Sequence, residues 1–366
     1  MAKTFSLFLF PTEAGENAAP EVYFDNGGVL RSTGVMSLSM QKLPELRQAA
    51  AKVLSDLCAL IEANPAMADA AALHGDGAAF FEQLPDEVRR QLRLALDAGP
   101  DPPVLRIFAE QRYDWIPWEL FYDDERQHFL GMRYAIARIP IVTNPPEIPA
   151  GARKVSRIQN SLGPGVADDA GLMDGLRFPK WQSTFTGLTN GVVVSARPDG
   201  AVVKWPGVIS LNEAMKSDIL HLTCHGMRNQ NNEFLLNLSP DHPIPTLAAL
   251  GLKQIKGFFR STSSPLIFTN ACNPQGGKLN ADKLEASGLG QALFEKGALN
   301  IVTTLAPVSR DMALAFARKF YENLLTPPHM PIGQAILKTR ADLTAPGDPS
   351  YLFYSLYGPP ETEFHV

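Results

Sequence analysis

The chain has 366 residues, of which 33 are basic and 38 acidic, giving a net charge of −5, and 45% of its residues are hydrophobic. That length allows one large domain or two modest ones at about 150 residues each. The near balance of charge, with no sizeable basic run, argues against nucleic acid or an anionic membrane surface as a direct partner. No stretch approaches the roughly 18 apolar residues that span a bilayer. Three cysteines, Cys58, Cys224 and Cys272, are too few and odd in number for a disulfide framework, which points to free thiols in a reducing compartment. The apolar run Phe5–Phe10 is too short for a secretory leader and no small-residue cleavage site follows it. A cytoplasmic protein is expected.

In chain order, residues 4–10 read as a strand and 21–25 as a second, paired with it through the intervening loop. Over 44–63, Leu46, Ala50, Val53, Leu57 and Leu60 recur at helical spacing and Pro44 suits a first turn. A second helix is predicted over 85–98, stopped by Pro100, Pro102 and Pro103, and then a strand over 104–109. Trp115–Leu120 and Tyr134–Ile139 flank an acidic turn at Asp123, Asp124 and Glu125. Prolines and glycines crowd 140–180, which predicts a boundary near residue 150, with units over 1–150 and 151–366. Beyond it, strands at 191–196, 217–224, 265–271 and 298–305 alternate with helices at 246–255, 284–296, 310–325 and 331–343. Residues 351–357 read as a last strand, and no first strand of this unit stands out over 153–195. The alternation predicts an α/β fold: a mostly parallel sheet with helices on both faces. No repeat of period 20–50 is present.

Two strands end in reactive residues. Asp218-Ile-Leu-His-Leu-Thr-Cys-His225-Gly226 ends in an imidazole, and Pro265-Leu-Ile-Phe-Thr-Asn-Ala-Cys272 ends in a thiol 47 residues later. Ligands of open α/β sheets bind at the C-terminal ends of strands. If the two strands are neighbours, His225 can take the proton of Cys272, whose thiolate is the nucleophile, and return it to a leaving amine. Backbone N–H groups of Gly226 and Cys272 can hold the developing oxyanion. Taken singly, a Cys at a strand end is more often a small buried core residue than a nucleophile, and a single His-Gly is as uninformative. Cys224, one residue before His225, falls on the opposite strand face and reads as core, and His221 shares the His225 face deeper along the strand. That placement of Cys224, with no paired-ligand spacing, disfavours a zinc site built from His221, Cys224, His225 and Cys272, so no metal or other cofactor is expected. Neither a Gly-x-Ser-x-Gly elbow nor a phosphate loop is present to support an unrelated α/β hydrolase or ligand-binding protein.

Several stretches together resemble the CHAT family, caspase-like peptidases related to separase. They are YDWIPWELFYDDERQHFLGMRYAIARIP (113–140), DILHLTCHG (218–226), PLIFTNAC (265–272) and GLGQALFEKGALNIVTTLAPVSRDMALAFARKFYENLL (288–325), with PIGQAILKTRADL (331–343) and YLFYSLYG (351–358) closing the match. The resemblance implies a caspase-like fold, a His225/Cys272 dyad and endopeptidase action on a protein substrate. It implies that 1–150 is a smaller, degenerate pseudo-protease half, in which Trp118 packs and Glu119 is paired or caps. It implies a role in regulated proteolysis such as bacterial defence or cell death, with a co-encoded activator or sensor, in a form without tetratricopeptide repeats. A catalytically inactive scaffold of the same fold is the alternative, which the intact His225, Gly226 and Cys272 argue against. In caspase-like enzymes the position of Asn270 lines the pocket for the residue before the cut, and Arg310 stands where relatives carry an acidic residue. Both are expected to bind substrate and to favour acidic or neutral side chains there over Lys and Arg.

Overall fold

The computed structural model describes residues 3–12, 20–25, 30–35, scattered positions of 48–63, 70–110, 113–142, 151–155, 157–162, 192–195, 218–228, 234–237, 244–245, 264–272, 288–295, 297–306, 308–344 and 348–365. Over 30–32, 35, 157–162, 192–195, 222–228, 234–237, 244–245, 271–272, 288–289, 292 and 310 the description is of the backbone.

The chain begins with β1 (Thr4–Pro11), β2 (Pro20–Asp25) and β3 (Leu30–Val35), an antiparallel meander. Period-two alternation buries Phe5, Leu7 and Leu9 on one face of β1 and Val22 and Phe24 on the same face of β2. Two helices add to the same hydrophobic cluster: α1 (His74–Phe81) and α2 (Asp86–Leu96). Val88, Leu92 and Ala95 of α2 are buried at helical spacing. Asp86 and Glu87 in its first turn and Arg93 in its last complement the helix dipole. Next come β4 (Val104–Ala109), a 3-10 turn at Trp118–Leu120, the small hairpin β5 (Tyr122–Asp123) and β6 (His128–Phe129), and β7 (Ala135–Pro140).

The C-terminal part supplies β8 (Arg153–Lys154), β9 (Arg157–Leu162), β10 (Val192–Ser195), β11 (Ile219–Arg228), β12 (Phe234–Asn237), β13 (Ile244–Pro245) and β14 (Leu266–Cys272). Then follow α3 (Gly288–Glu295), β15 (Asn300–Thr304), α4 (Arg310–Leu325), α5 (Ile332–Asp342), β16 (Tyr354–Tyr357) and β17 (Phe364–His365). Thirteen strands form one sheet in the order β10-β9-β11-β14-β15-β16-β7-β4-β1-β2-β3, with β12 joined to β11 and β13 to β12. β9, β10, β11, β14 and β15 are mutually parallel. β16, β7, β4 and β1 form a second parallel run. The runs meet head to tail where β16 pairs antiparallel with β15. The sheet therefore continues unbroken past residue 150, and one hydrophobic cluster extends from Phe5 to Phe364.

Helices lie on both faces. On one, Phe316 and Phe320 of α4 pack on Phe268 of β14, and Phe316 stacks on Tyr354 at 3.6 Å. Tyr357, three residues on, faces the other way and receives α3, where Gly290 leaves room for the tyrosine ring. The mostly parallel sheet expected from the sequence is thus present. The strand sought over 153–195 is β9, whose Arg-Ile-Gln-Asn-Ser-Leu carries too few apolar residues to stand out. β11 starts two residues later and ends four residues later than predicted, and β16 is preceded by a 3-10 turn (Pro349–Phe353) and is not the last strand. The described residues of the helix predicted over 44–63 are helical, whereas the helix predicted over 246–255 lies outside the described residues.

Next to that junction, the pairing of β16 with β7 holds buried charge. Arg138 of β7 donates to both Glu119 oxygens, one at 2.8 Å, and to the Ile116 carbonyl at 2.9 Å. Its Nε lies 3.8 Å from Asp114, which accepts a 3.0 Å hydrogen bond from the Tyr357 hydroxyl of β16. Burial pushes the Asp114 carboxyl up to about 7, against the pull of Arg138 and of the Tyr357 hydrogen bond. A carboxyl whose folded value lies above its unfolded one stabilises the protein fully below the unfolded value of 3.8. That contribution is lost as pH rises through 7, at about 1.4 kcal/mol per pH unit between the two. Wild-type stability relative to Asp114→Asn is therefore expected to fall between pH 4.5 and 7 in urea unfolding. A difference that stays constant over that range would show an ordinary carboxylate.

Gly358, which ends β16, has φ +93°, and a Cβ there would lie 2.0 Å from the Leu299 carbonyl oxygen. Its N–H donates to the Arg138 carbonyl of β7 at 2.9 Å, so the backbone cannot move away without losing that bond between β16 and β7. Gly358→Ala should cost about 2 kcal/mol or more from left-handed strain and overpacking. An unchanged melting temperature would contradict this.

Candidate active site

The predicted reactive residues come from adjacent strands. β11 and β14 pair in parallel from Ile219↔Leu266 to His225↔Cys272. His225 and Cys272 are register partners at the C-terminal end of β14, and partners across a parallel pair share a face of the sheet. Cys224 pairs with Ala271 and belongs to the opposite face. Gly226 is still within β11, paired with Leu236 of β12. Arg310 is the first residue of α4. Cys58 lies outside the described residues.

Side chains one and two steps deeper on the same face show what supports the pair. His221, 2% exposed, lies flat on the Phe268 ring at 4.8 Å, and its Nδ1 hydrogen-bonds with the Tyr321 hydroxyl of α4 at 3.0 Å. Burial lowers His221 to about 3, so it is neutral at physiological pH. Asn270 is 2% exposed. Its Nδ2 donates to the Ala313 carbonyl of α4 at 3.3 Å, and its Oδ1 accepts from the Tyr354 hydroxyl of β16 at 2.8 Å. The amide is a strut tying β14 to α4 and β16. Spacing could not reveal this, because both partners are far away in the chain.

The successive contacts of Tyr321, Phe316 and Ala313 with residues 221, 268 and 270 show α4 running against the direction of the strands. Four residues back from Ala313, about 6 Å of helix rise, stands Ser309. Its hydroxyl caps the helix by accepting from the Met312 N–H at 3.1 Å and itself donates to Asp348. Two residues of strand beyond Asn270 cover a similar distance, about 6.6 Å. The N-terminus of α4, with its partial positive charge, thus begins at the level of the Cys272 position.

Trp118 and Glu119 are structural, as expected: Trp118 is 1% exposed and packs on Phe121, and Glu119 is wholly buried against Arg138. Among the described residues no helix is long and apolar enough to cross a membrane.

A sequence profile described as the CHAT domain matches residues 74–355. No curated protein sequence matches. Among solved structures, the chain is similar to the separase of the Saccharomyces cerevisiae separase–securin complex, with a TM-score of 0.42 and 12% identity over 76% of this chain. This covers 18% of the separase chain, so the protein spans about a fifth of that relative. It is also similar to the Arg-specific cysteine proteinase gingipain R, with a TM-score of 0.41 and 10% identity over 88% of this chain and 74% of that one. The Porphyromonas gingivalis RgpB pro- and mature-domain complex gives a TM-score of 0.39 and 11% identity over 88% and 76%.

Proposed function

This chain belongs to the CHAT family, and we propose that it is a cysteine endopeptidase that cuts a partner protein with Cys272 as nucleophile and His225 as general base. The observation that carries the reading is the register pairing of the two residues at the end of adjacent parallel strands. The start of α4 at the same level adds a second influence favouring a thiolate. In the first step His225 takes the thiol proton and the sulfur attacks the scissile carbonyl carbon, forming a C–S bond and an oxyanion. N–H groups of Gly226 and Cys272 hold that oxyanion. Collapse breaks the C–N bond, and the imidazolium gives its proton to the leaving amine. Water, deprotonated by His225, then attacks the thioester, releasing the acid and the Cys272 thiol.

On this reading the protein acts in the cytoplasm, in regulated proteolysis such as bacterial defence, and a co-encoded activator or sensor controls it. Asn270 contributes to specificity by fixing the first turn of α4, and Arg310 at the start of that turn disfavours cationic side chains before the cut. Profiling against a peptide library varied at that position tests both claims. Cleavage after acidic or neutral residues, absent in Cys272→Ala, is the expected result. A preference for Arg or Lys would overturn the specificity assignment, and cleavage that survives in Cys272→Ala would overturn the mechanism. No cleavage of any peptide or partner, with an unreactive Cys272, would favour an inactive scaffold.

A further inference from the structure

The pairing of His225 with Cys272 is part of a longer row. On its other edge, β11 is accompanied by β9 as far as Thr223↔Leu162. There β9 ends and β12 takes its place, antiparallel, from His225↔Asn237 to Arg228↔Phe234. His225 is therefore flanked by Cys272 on one side and by Asn237 on the other. Partners share a face in antiparallel as in parallel pairs, with Cβ atoms of facing residues about 4.5–5.5 Å apart in the antiparallel case. Asn237, His225 and Cys272 thus occupy one row, on one face, across three adjacent strands.

The identity of the flanking residue matters chemically. β12 reads Phe-Leu-Leu-Asn, an apolar run with one amide, and asparagine is disfavoured in strands. A general-base imidazole needs one ring nitrogen free towards the thiol and its other N–H held by an acceptor, which sets tautomer and ring orientation. An amide oxygen can be that acceptor without adding charge. Resting on the reading of Cys272 and His225 given above, we propose that Asn237 is a positioning residue that orients His225, so that the working unit is a Cys272–His225–Asn237 row. A purely structural asparagine at this place would instead only end β12.

The two roles separate in the pH dependence of Cys272 alkylation by iodoacetamide, followed by mass spectrometry on the full chain, which needs no knowledge of the substrate. In the wild type the midpoint is expected below the free-thiol value of about 8.5, and His225→Ala should raise it towards that value. Asn237→Ala is expected to move the midpoint part of the way and to lower kcat on a cleaved peptide by roughly tenfold to a hundredfold, the range for partners that orient an imidazole, with KM little changed. Asn237→Asp, which keeps the acceptor, should restore most of kcat and shift the midpoint again through its charge. A lower melting temperature in Asn237→Ala with an unmoved midpoint and kcat, while His225→Ala still shifts the midpoint, would overturn the role of Asn237 and leave the pair intact. An ordinary midpoint in wild type and His225→Ala alike would overturn the pair, and the role of Asn237 with it.

Discussion

Replacing Cys272 by alanine is expected to abolish cleavage, lowering kcat by a factor on the order of 10⁴–10⁶, as the loss of a covalent nucleophile does elsewhere. The fold should survive, because position 272 is the last residue of β14 and lies beyond the buried run Leu266–Asn270. Cys224→Ser is the matched control: its position is one residue from His225 but on the opposite face of the sheet. That variant should retain activity and alter mainly stability. Iodoacetamide labelling should find Cys272 first. Preferential labelling of Cys224, or wild-type turnover in Cys272→Ala, would be incompatible with the mechanism proposed.

Glu119→Gln is expected to destabilise the protein by about 3–5 kcal/mol, the cost of leaving one partner of a buried ion pair uncompensated. Glu119 is wholly buried and Arg138 is 3% exposed, so water cannot replace the lost partner. Burial alone would push the Glu119 carboxyl up, but the charge and hydrogen bonds of Arg138, with Arg340 further off, hold it below the usual carboxylate range. The pair therefore stabilises the fold above the unfolded carboxylate value, and that contribution is lost on acidification through the lower folded one. This is opposite in sign to the dependence expected of Asp114. Urea unfolding at pH 7 measures the loss. A change within about 0.5 kcal/mol, ordinary for a surface substitution, would show that the pair contributes nothing to stability. Replacing Glu119 and Arg138 together by apolar residues of similar volume should recover much of the loss, because the desolvation of both charges is then avoided.

Much of this protein was legible in its sequence. Apolar runs of strand length foretold β1, β4, β11, β14 and β15, and the segments between strands foretold the helices α2, α4 and α5, because these signals lie within a few residues of chain. The two strand ends bearing His225 and Cys272 stood out for the same reason, and so did the stretches that resemble the CHAT family. What stayed hidden was pairing between distant segments. Alternation places His225 and Cys272 each on a face of its own strand, but only the packed sheet puts them in one register, and a slip of one residue would separate the faces. β9 and β12 were missed because short or polar strands take their conformation from the neighbours that complete their hydrogen bonds. Asn270 was placed on the right strand face, yet its partners Ala313 and Tyr354 lie 43 and 84 residues away, so its burial could not be read locally. The insertion of β16 between β15 and β7 was decided in the same way. It makes two oppositely directed runs one sheet, since an apolar strand from the end of the chain buries both of its edges there. Local signals thus marked most of the strands and helices and the side chains proposed to carry the chemistry. The tertiary structure alone decided which of them stand side by side, because register is set by burial and backbone pairing summed over the whole sheet.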